Sequence, residues 1–280
     1  MDLPIDGHVH TEWSWDAPTG SMERSCARAL EVGLPAIAFT EHVDHTVTTV
    51  ATDRIEPGHP LLALTDADGR LAPPPLDLAG YLASVERCRD LFPDLRILSG
   101  LEIGEPHWHA DETRRLLDTG DFDRVLGSLH ALPIGGEYLE PPGLFGLWDP
   151  DEVVRSYLAE VVRLVADSDA FAVLAHIDYP LRYWDPAEHG SYDVGRYEDD
   201  LRHALRALAD SGRALEINTV LPLDASILRW WHDEGGQAVT FGSDAHEPDA
   251  VAAGFHDAAA MAEEIGFRPG SDPFGFWPRS

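Results

Sequence analysis

The chain has 280 residues, of which 44% are hydrophobic, and its 50 acidic against 20 basic residues leave a formal net charge of −30. This length is enough for one hydrophobic core, and a surface of this charge repels nucleic acid backbones, which excludes long nucleic acid as a partner. No run of eighteen uncharged apolar residues and no basic, apolar leader is present, so we expect a cytoplasmic protein without membrane contact.

Short apolar runs alternate with segments of helical periodicity along the whole chain. The predicted strands are Leu3–Ile5, Ala36–Phe39, Ile97–Leu101, Val125–Leu126, Phe171–Leu174, Ala214–Ile217 and Ala238–Phe241. The predicted helices lie near Met22–Val32, Leu76–Leu91, Asp111–Leu117, Pro150–Ala166, Arg196–Asp210, Ser226–Trp231 and Pro248–Ile265. Seven strand-helix units are typical of a parallel α/β barrel or a doubly wound sheet.

Two stretches interrupt this alternation. Residues 43–75, which include the run Pro73–Pro75, and residues 132–149, which are rich in Gly and Pro, have little periodicity. Loops of this length are either lids and binding walls or tolerated surface excursions, and both interpretations stay open. We expect one domain over residues 1–270 that contains both insertions, followed by a C-terminal tail at 271–280 that packs on the barrel.

Histidine and carboxylate side chains cluster where the predicted strands end. His8 and His10 are two residues apart on an extended segment, so both face one side and can hold one ion. Further polar residues follow the other strands in the same way: Glu41, His42, Glu102, His130, His176, Asp244 and His246. In a barrel of parallel strands these positions converge on one rim, and imidazole with carboxylate suits zinc, manganese or iron.

These motifs resemble those of the PHP (polymerase and histidinol phosphatase) superfamily. The resemblance runs from Asp6 to Phe267 through the segments DGHVHTEWSWD, FTEH, GLEIGE, VLGSLH, VLAHID, LEINT and FGSDAH. The spacing of these segments is similar to that of the histidinol-phosphate phosphatase branch. We therefore predict a single distorted (β/α)7 barrel with its metal site at the C-terminal ends of the strands.

The resemblance implies two to three divalent ions, which we expect to be zinc, manganese or iron. The first ion would be held by His8, His10, Glu102 and Asp244. The second would share Glu102 and add His130 and His176, and the third would take Asp16, His42 and His246. Asp6 and Glu41 would orient ligands. Catalysis would depend most on Glu102, His42 and Asp244.

Two or three adjacent ions lower the pKa of a shared water and neutralise phosphate oxygens. We therefore expect a metal-dependent phosphatase acting on a small phosphomonoester, such as histidinol phosphate, in which a metal-bound hydroxide attacks phosphorus. Arg182 could contact the phosphate. The carboxylates or amide of Glu105, Asp178 and Asn218 could accept the ammonium and imidazole groups.

Several alternatives remain at this point. The segment VLPLD after LEINT departs from the histidinol-phosphate phosphatase pattern, so nucleotides or short oligonucleotide ends stay possible substrates, and a non-catalytic metal-binding module is a third reading. The motif DFDRV at Asp121–Val125 mimics an aspartyl-phosphatase nucleophile but precedes its apolar strand instead of ending it.

Cys26 and Cys88 fall in predicted amphipathic helices and are expected to be neither nucleophiles nor a disulfide. The oligomeric state is left open.

Overall fold

The computed structural model describes residues 3–52 and 60–280 of the chain. Its strands are β1 (Asp6–Val9), β2 (Ala36–Val43), β3 (Thr48–Thr49), β4 (Arg70–Leu71), β5 (Arg96–Gly104), β6 (Arg124–Ser128), β7 (Leu132–Ile134), β8 (Glu137–Leu139), β9 (Val173–Leu174), β10 (Ala214–Asn218), β11 (Ala238–Gly242) and β12 (Trp277–Pro278). Its α-helices are α1 (Met22–Val32), α2 (Leu78–Leu91), α3 (Ala110–Leu117), α4 (Pro141–Leu144), α5 (Pro150–Asp167), α6 (Pro186–His189), α7 (Glu198–Asp210), α8 (Ala225–Asp233) and α9 (Phe255–Ile265).

Seven parallel strands form the central sheet in the order β1, β2, β5, β6, β9, β10 and β11, and β12 is added antiparallel to β11. The sheet closes on itself where β1 meets the chain after β11. There the His10 amide donates to the carbonyl of Ala245 at 2.9 Å, and the Asp244 amide donates to the carbonyl of His8 at 2.8 Å. The predicted distorted (β/α)7 barrel is confirmed, and its closure lies at the C-terminal ends of the strands.

At the other end of the closing strands, β12 pairs with β11, where Trp277 lies opposite Val239. Trp277 is buried and its ring lies 4.7 Å from that of Phe241. The guanidinium of Arg124 lies 4.5 Å from the Phe276 ring centre. The C-terminal tail therefore packs on the barrel.

Local sequence signals explain where the outer helices begin and end. The side chain of Ser21 accepts from the amide of Arg24 at the start of α1, and Gly33 ends that helix with φ 80°, a left-handed conformation that glycine adopts without strain. Asp149 caps α5, with Pro150 in its first turn. The buried side chains of α5 recur every three or four residues, as expected for a helix that packs one face on the barrel.

Both predicted insertions contain secondary structure. In the first insertion β3 pairs with β4, and a 3-10 helix covers Pro60–Ala63; residues 53–59 lie outside the described residues. In the second, β7 and β8 form a hairpin through Gly135 and Gly136, with φ 60° and 94°, the positive values that a tight two-residue turn requires. The hairpin leads directly into α4.

Several element boundaries differ from the predictions. The strands β2 and β5 continue beyond their predicted ends to Val43 and Gly104, so His42 and Glu102 lie within strands. The first strand begins at Asp6 and follows Leu3–Ile5, because the segment pairs with β2 from Asp6 onward. The last predicted helix, Pro248–Ile265, is a 3-10 turn at Pro248–Ala250 followed by α9, because Ala252 and Gly254 have positive φ. Over the parts of the chain that the structure describes, we find no helix with the length and apolar character needed to cross a membrane.

Candidate metal centre

Glu102 lies at the centre of a buried cluster at the barrel rim. Five histidine nitrogens lie within 3.3 Å of its carboxylate. Oε2 faces His8 Nε2 at 3.1 Å, His10 Nε2 at 3.2 Å and His42 Nδ1 at 3.2 Å, and Oε1 faces His176 Nε2 at 2.8 Å and His130 Nε2 at 3.3 Å. The two oxygens of one carboxylate therefore face two different groups of imidazoles.

The parallel sheet produces this convergence. Glu102 of β5 is in register with His42 of β2, and side chains two residues apart on one strand face the same side. His176 and Asp244, just beyond β9 and β11, have φ of 21° and 52°. Such values are uncommon for residues with a side chain and are often found at functional sites. Turns at the strand ends thus direct these side chains into the rim.

The donor set fits divalent cations. His8 Nε2 and His10 Nε2 lie 3.0 Å apart, and both also face Asp244 Oδ1, at 3.5 and 3.2 Å. Two imidazole nitrogens cannot both point a proton at each other over that distance, whereas two lone pairs directed at one cation can approach in this way. Buried Asp16 Oδ1 and Asp44 Oδ1 also have no hydrogen-bond partner among the described residues.

All nine predicted metal ligands come together here. Four overlapping groups place their ligand atoms within 4.8 Å of one another: His8, His10, Glu102 and Asp244; Glu102, His130 and His176; His10, His42 and His246; and His42, Asp44 and His130. The first two groups match the predicted first and second ion sites. Asp16 Oδ2 lies 3.3 Å from His42 Nε2 and 3.1 Å from His246 Nε2, in agreement with the third predicted group.

Sequence reasoning missed Asp44, which is two residues after His42. The same two-residue spacing joins His8 to His10, so this signal was available in the sequence. Asp44 also accepts a hydrogen bond from the indole of Trp15 at 2.8 Å. Burial raises the pKa of Asp44, but His42 and His130 outweigh it and lower the pKa below its usual value, so the group is an anionic ligand candidate.

Buried carboxylates outside the ligand groups orient the histidines. Glu216, which sequence reasoning also missed, places Oε1 2.6 Å from His8 Nδ1, and its Oε2 accepts from the His176 amide at 2.9 Å. Glu41 accepts from the Ser14 hydroxyl at 2.6 Å, and Ser14 Oγ lies 3.0 Å from His10 Nδ1. Neither carboxylate contributes to the four ligand groups.

Asp6 holds the backbone of the closing segments. Its carboxylate accepts from the amides of Ser243 at 3.0 Å and Ala252 at 2.9 Å. Burial raises the pKa of Asp6 to about 6. Asp6 therefore supports the turn that carries Asp244, in keeping with the orienting role expected for it.

Two carboxyl groups at the centre of the cluster have lowered pKa values. Burial opposes the charged form of Glu102, but His8 and His42 hold the pKa of that carboxyl well below its usual range. Asp244 behaves in the same way, because His8 and the guanidinium of Arg182 outweigh burial and lower its pKa. Fully ionised buried carboxylates surrounded by imidazoles are the ordinary setting of a zinc, manganese or iron site.

A cavity of about 290 Å³ opens onto the cluster. Besides the ligands, its wall includes Trp15, Glu140, Tyr179 and Tyr183. Leu61 from the first insertion also lines the cavity, and Glu140 comes from the second. The two insertions therefore form walls of the site, the first of the two interpretations that the sequence left open.

The four predicted substrate-binding residues differ in where they lie. Arg182 lines the cavity, and its Nη2 donates to Asp244 Oδ2 at 2.6 Å. The other three, Glu105, Asp178 and Asn218, are absent from the cavity lining as far as the described residues define it.

Two of these three side chains are engaged elsewhere. Glu105 accepts from the Thr46 hydroxyl at 2.7 Å and from the His130 amide at 2.6 Å. Asn218 donates to Glu216 at 3.1 Å and to Asp244 at 3.4 Å. Glu105 thus organises the backbone next to a predicted ligand, and Asn218 supports the carboxylate that faces His8.

Comparison with known proteins agrees with this geometry. The family model of the PHP domain matches residues 6–220. A histidinol-phosphatase of Lactococcus lactis is 27% identical over 272 residues, covering 94% of this chain and 91% of the relative. A probable histidinol-phosphatase of Clostridium acetobutylicum is 30% identical over 182 residues, covering 62% of this chain and 70% of the relative.

Solved structures show the same fold. The crystal structure of a histidinol phosphate phosphatase from Lactococcus lactis, complexed with zinc, L-histidinol and phosphate, superposes with a TM-score of 0.76 at 25% identity and covers 95% of each chain. A putative histidinol phosphatase from Listeria monocytogenes has a TM-score of 0.70 at 17% identity, covering 90% of this chain and 99% of its own. Because the family model matches most of the chain, this protein belongs to the PHP domain family.

Proposed function

We propose that this chain is a metal-dependent phosphatase that hydrolyses histidinol phosphate to histidinol and inorganic phosphate. The observation that carries the proposal is the position of Glu102, whose two carboxylate oxygens face two separate groups of histidines. A carboxylate in this position can bridge two cations and fix their spacing. Adjacent cations are a common solution to phosphoryl transfer.

The proposed centre holds two to three divalent ions in the groups described above, and zinc is the first candidate because the Lactococcus lactis structure contains it. When bound, the ions neutralise phosphate oxygens and lower the pKa of a nucleophilic water. Glu102 would hold the spacing of the ions. His42 contacts Glu102 Oε2 at 3.2 Å and Asp16 Oδ2 at 3.3 Å, and Asp244 joins the first group to Arg182.

Arg182 is the proposed phosphate contact contributed by the protein itself. Its guanidinium lies between Asp244, which it contacts at 2.6 Å, and the Tyr179 ring, whose centre is 5.2 Å away. This arrangement holds a planar cation at the edge of the ligand cluster, where it can donate to a phosphate oxygen.

Substrate identity rests on the relatives and on the size of the site. The sequence relative from Lactococcus lactis is a histidinol-phosphatase, and the similar crystal structure from that organism contains L-histidinol and phosphate. The cavity of about 290 Å³ suits a metabolite rather than a polymer. The net charge of −30 further disfavours a long nucleic acid.

The test is phosphate release by the metal-reconstituted protein from histidinol phosphate, p-nitrophenyl phosphate and a nucleoside monophosphate. We expect kcat/KM for histidinol phosphate to exceed that for p-nitrophenyl phosphate by roughly 100-fold or more. Equal values across the three esters would assign a broader phosphoesterase. Failure to hydrolyse any of them after loading with zinc, manganese or iron would overturn the proposed activity.

A further inference from the structure

Glu140 differs from the other carboxylates in the cavity wall. Asp16, Asp44, Glu102 and Asp244 each lie within 3.5 Å of an imidazole or guanidinium nitrogen. By contrast, no arginine or histidine nitrogen of the described residues lies within 4.0 Å of Glu140. Its described contact is a hydrogen bond of 3.4 Å from the Tyr179 hydroxyl. The cavity wall thus contains an acid that has no ion pair within 4.0 Å in the described protein, although the charge of His130 acts to lower its pKa.

Tyrosine rings separate this acid from the metal ligands. The Tyr179 ring centre lies 5.2 Å from that of His130 and 5.0 Å from that of His176, and its hydroxyl reaches Glu140. Glu140 is therefore one tyrosine side chain away from the ligand cluster. Tyr183 continues the wall, with its ring 5.5 Å from that of Tyr179 in an edge arrangement and the two hydroxyls 3.2 Å apart.

The backbone holds Glu140 in place. Glu140 precedes α4, and Pro141 occupies the first turn of that helix. Leu139 before it and Leu144 after it are buried in the main core, so the segment is anchored on both sides. An acid fixed in this way does not need to be reorganised when a ligand binds.

We propose that Glu140, together with the rings of Tyr179 and Tyr183, binds a positively charged nitrogen on the organic part of the substrate. This proposal deepens the proposed function and rests on it, because histidinol phosphate carries an ammonium and an imidazole. The phosphate would bind at the metal cluster and Arg182, and the cation would bind on the far side of Tyr179.

Two physical effects support this division of the cavity. A carboxylate and the faces of aromatic rings both attract cations, and the effect is larger where water is excluded. Glu140 is half-buried, and burial raises the pKa of its carboxyl to about 7. A cation brought beside it by the substrate therefore stabilises the charged carboxylate. Arg182 pairs with Asp244 at 2.6 Å and forms no ion pair with Glu140 in the described protein.

The test compares Glu140→Gln with Glu137→Gln in the metal-loaded protein. Both changes remove one charge from the same insertion, but Glu137 is exposed on β8 and does not line the cavity. For Glu140→Gln we expect kcat/KM with histidinol phosphate to fall about 10- to 100-fold, the range for a lost charged hydrogen bond. With p-nitrophenyl phosphate, which lacks a cation, the change should stay within about threefold. Glu137→Gln should match the wild type on both esters.

Product inhibition gives an independent readout. The inhibition constant of L-histidinol should rise about 10- to 100-fold in Glu140→Gln, whereas that of inorganic phosphate should be unchanged. A variant that merely folds poorly would lose activity on both esters in the same proportion and would leave both inhibition constants unchanged. Equal loss on both esters, or no loss on either, overturns the role of Glu140.

A second substrate pair separates this proposal from the proposed function. If the wild type hydrolyses p-nitrophenyl phosphate but not histidinol phosphate, the substrate assignment is wrong. Phosphoethanolamine carries an ammonium group and ethyl phosphate does not, so the comparison of these two esters then decides the role of Glu140. Selective loss of phosphoethanolamine hydrolysis in Glu140→Gln supports the cation site, and a parallel change for the two esters rejects it.

Discussion

Glu216 Oε1 lies 2.6 Å from His8 Nδ1 inside the barrel, where both side chains are buried. This contact fixes the His8 ring with Nε2 directed at Glu102 and Asp244. Partners of this kind set the tautomer and orientation of a metal-binding histidine. Glu216 therefore acts on the proposed first ion site through His8.

Replacing Glu216 by Gln should weaken metal binding and leave the packing of the barrel core unchanged, because the two side chains have nearly the same size. We expect the affinity for zinc to fall roughly 10- to 100-fold, as for other carboxylates that support a ligating histidine. Competition with a chelating indicator measures this affinity directly. Glu264→Gln, an exposed change on α9, is the matched control and should leave zinc affinity unaltered. Unchanged affinity in Glu216→Gln would contradict the orienting role.

Gly242 at the end of β11 leaves room for the Glu216 carboxylate. A Cβ at this position would overlap Glu216 Oε1 and would come within 2.6 Å of the His8 Cβ. Gly242→Ala should therefore displace Glu216 from His8, reduce kcat at least about tenfold and lower the free energy of unfolding by roughly 1–3 kcal/mol. Gly120→Ala is the control, because no atom of the described residues lies within 4 Å of that added Cβ. Wild-type kcat in Gly242→Ala would show that the contact is dispensable.

Glu102→Ala should be the most damaging single change in the cluster. The substitution removes the carboxylate that five histidine nitrogens face, so the imidazoles lose the group that spaces the proposed ions. We expect less than one metal per chain by elemental analysis and a loss of nearly all turnover. Circular dichroism checks that the barrel is retained. Wild-type rates, or a phosphoenzyme trapped in a rapid quench, would refute the proposed mechanism.

Cys26 of α1 and Cys88 of α2 should be inert in the folded protein. Both are buried, and burial raises the pKa of each thiol, so the reactive thiolate is scarce at neutral pH. Iodoacetamide should label neither cysteine until the protein is unfolded, as measured by mass spectrometry. Cys26→Ala and Cys88→Ala should keep the wild-type kcat. Rapid labelling of the native protein would argue against this packing.

Local sequence patterns determined the barrel and most of the cluster. Strands expose alternate residues to one side, so the two-residue spacing of His8 with His10 predicts a shared face. Asp244 and His246 follow β11 instead, and Asp244 lies in a turn with φ 52°. The same spacing joins His42 to Asp44 and Glu216 to Asn218, so Asp44 and Glu216 were accessible to the rule that found the other residues. The position of a candidate ligand near the end of a strand depends on the residues next to it in the chain, so the local sequence is enough to recognise it.

The part of the cavity that is proposed to bind the organic part of the substrate depends on tertiary structure. Glu105 follows a ligand-bearing strand, yet its carboxylate turns to Thr46 and to the backbone of His130. Glu140 carries no local signal, since it reaches the cavity only because the β7–β8 hairpin and α4 fold over the rim. Where an insertion packs depends on contacts between residues far apart in the chain, and periodicity within one segment does not contain that information.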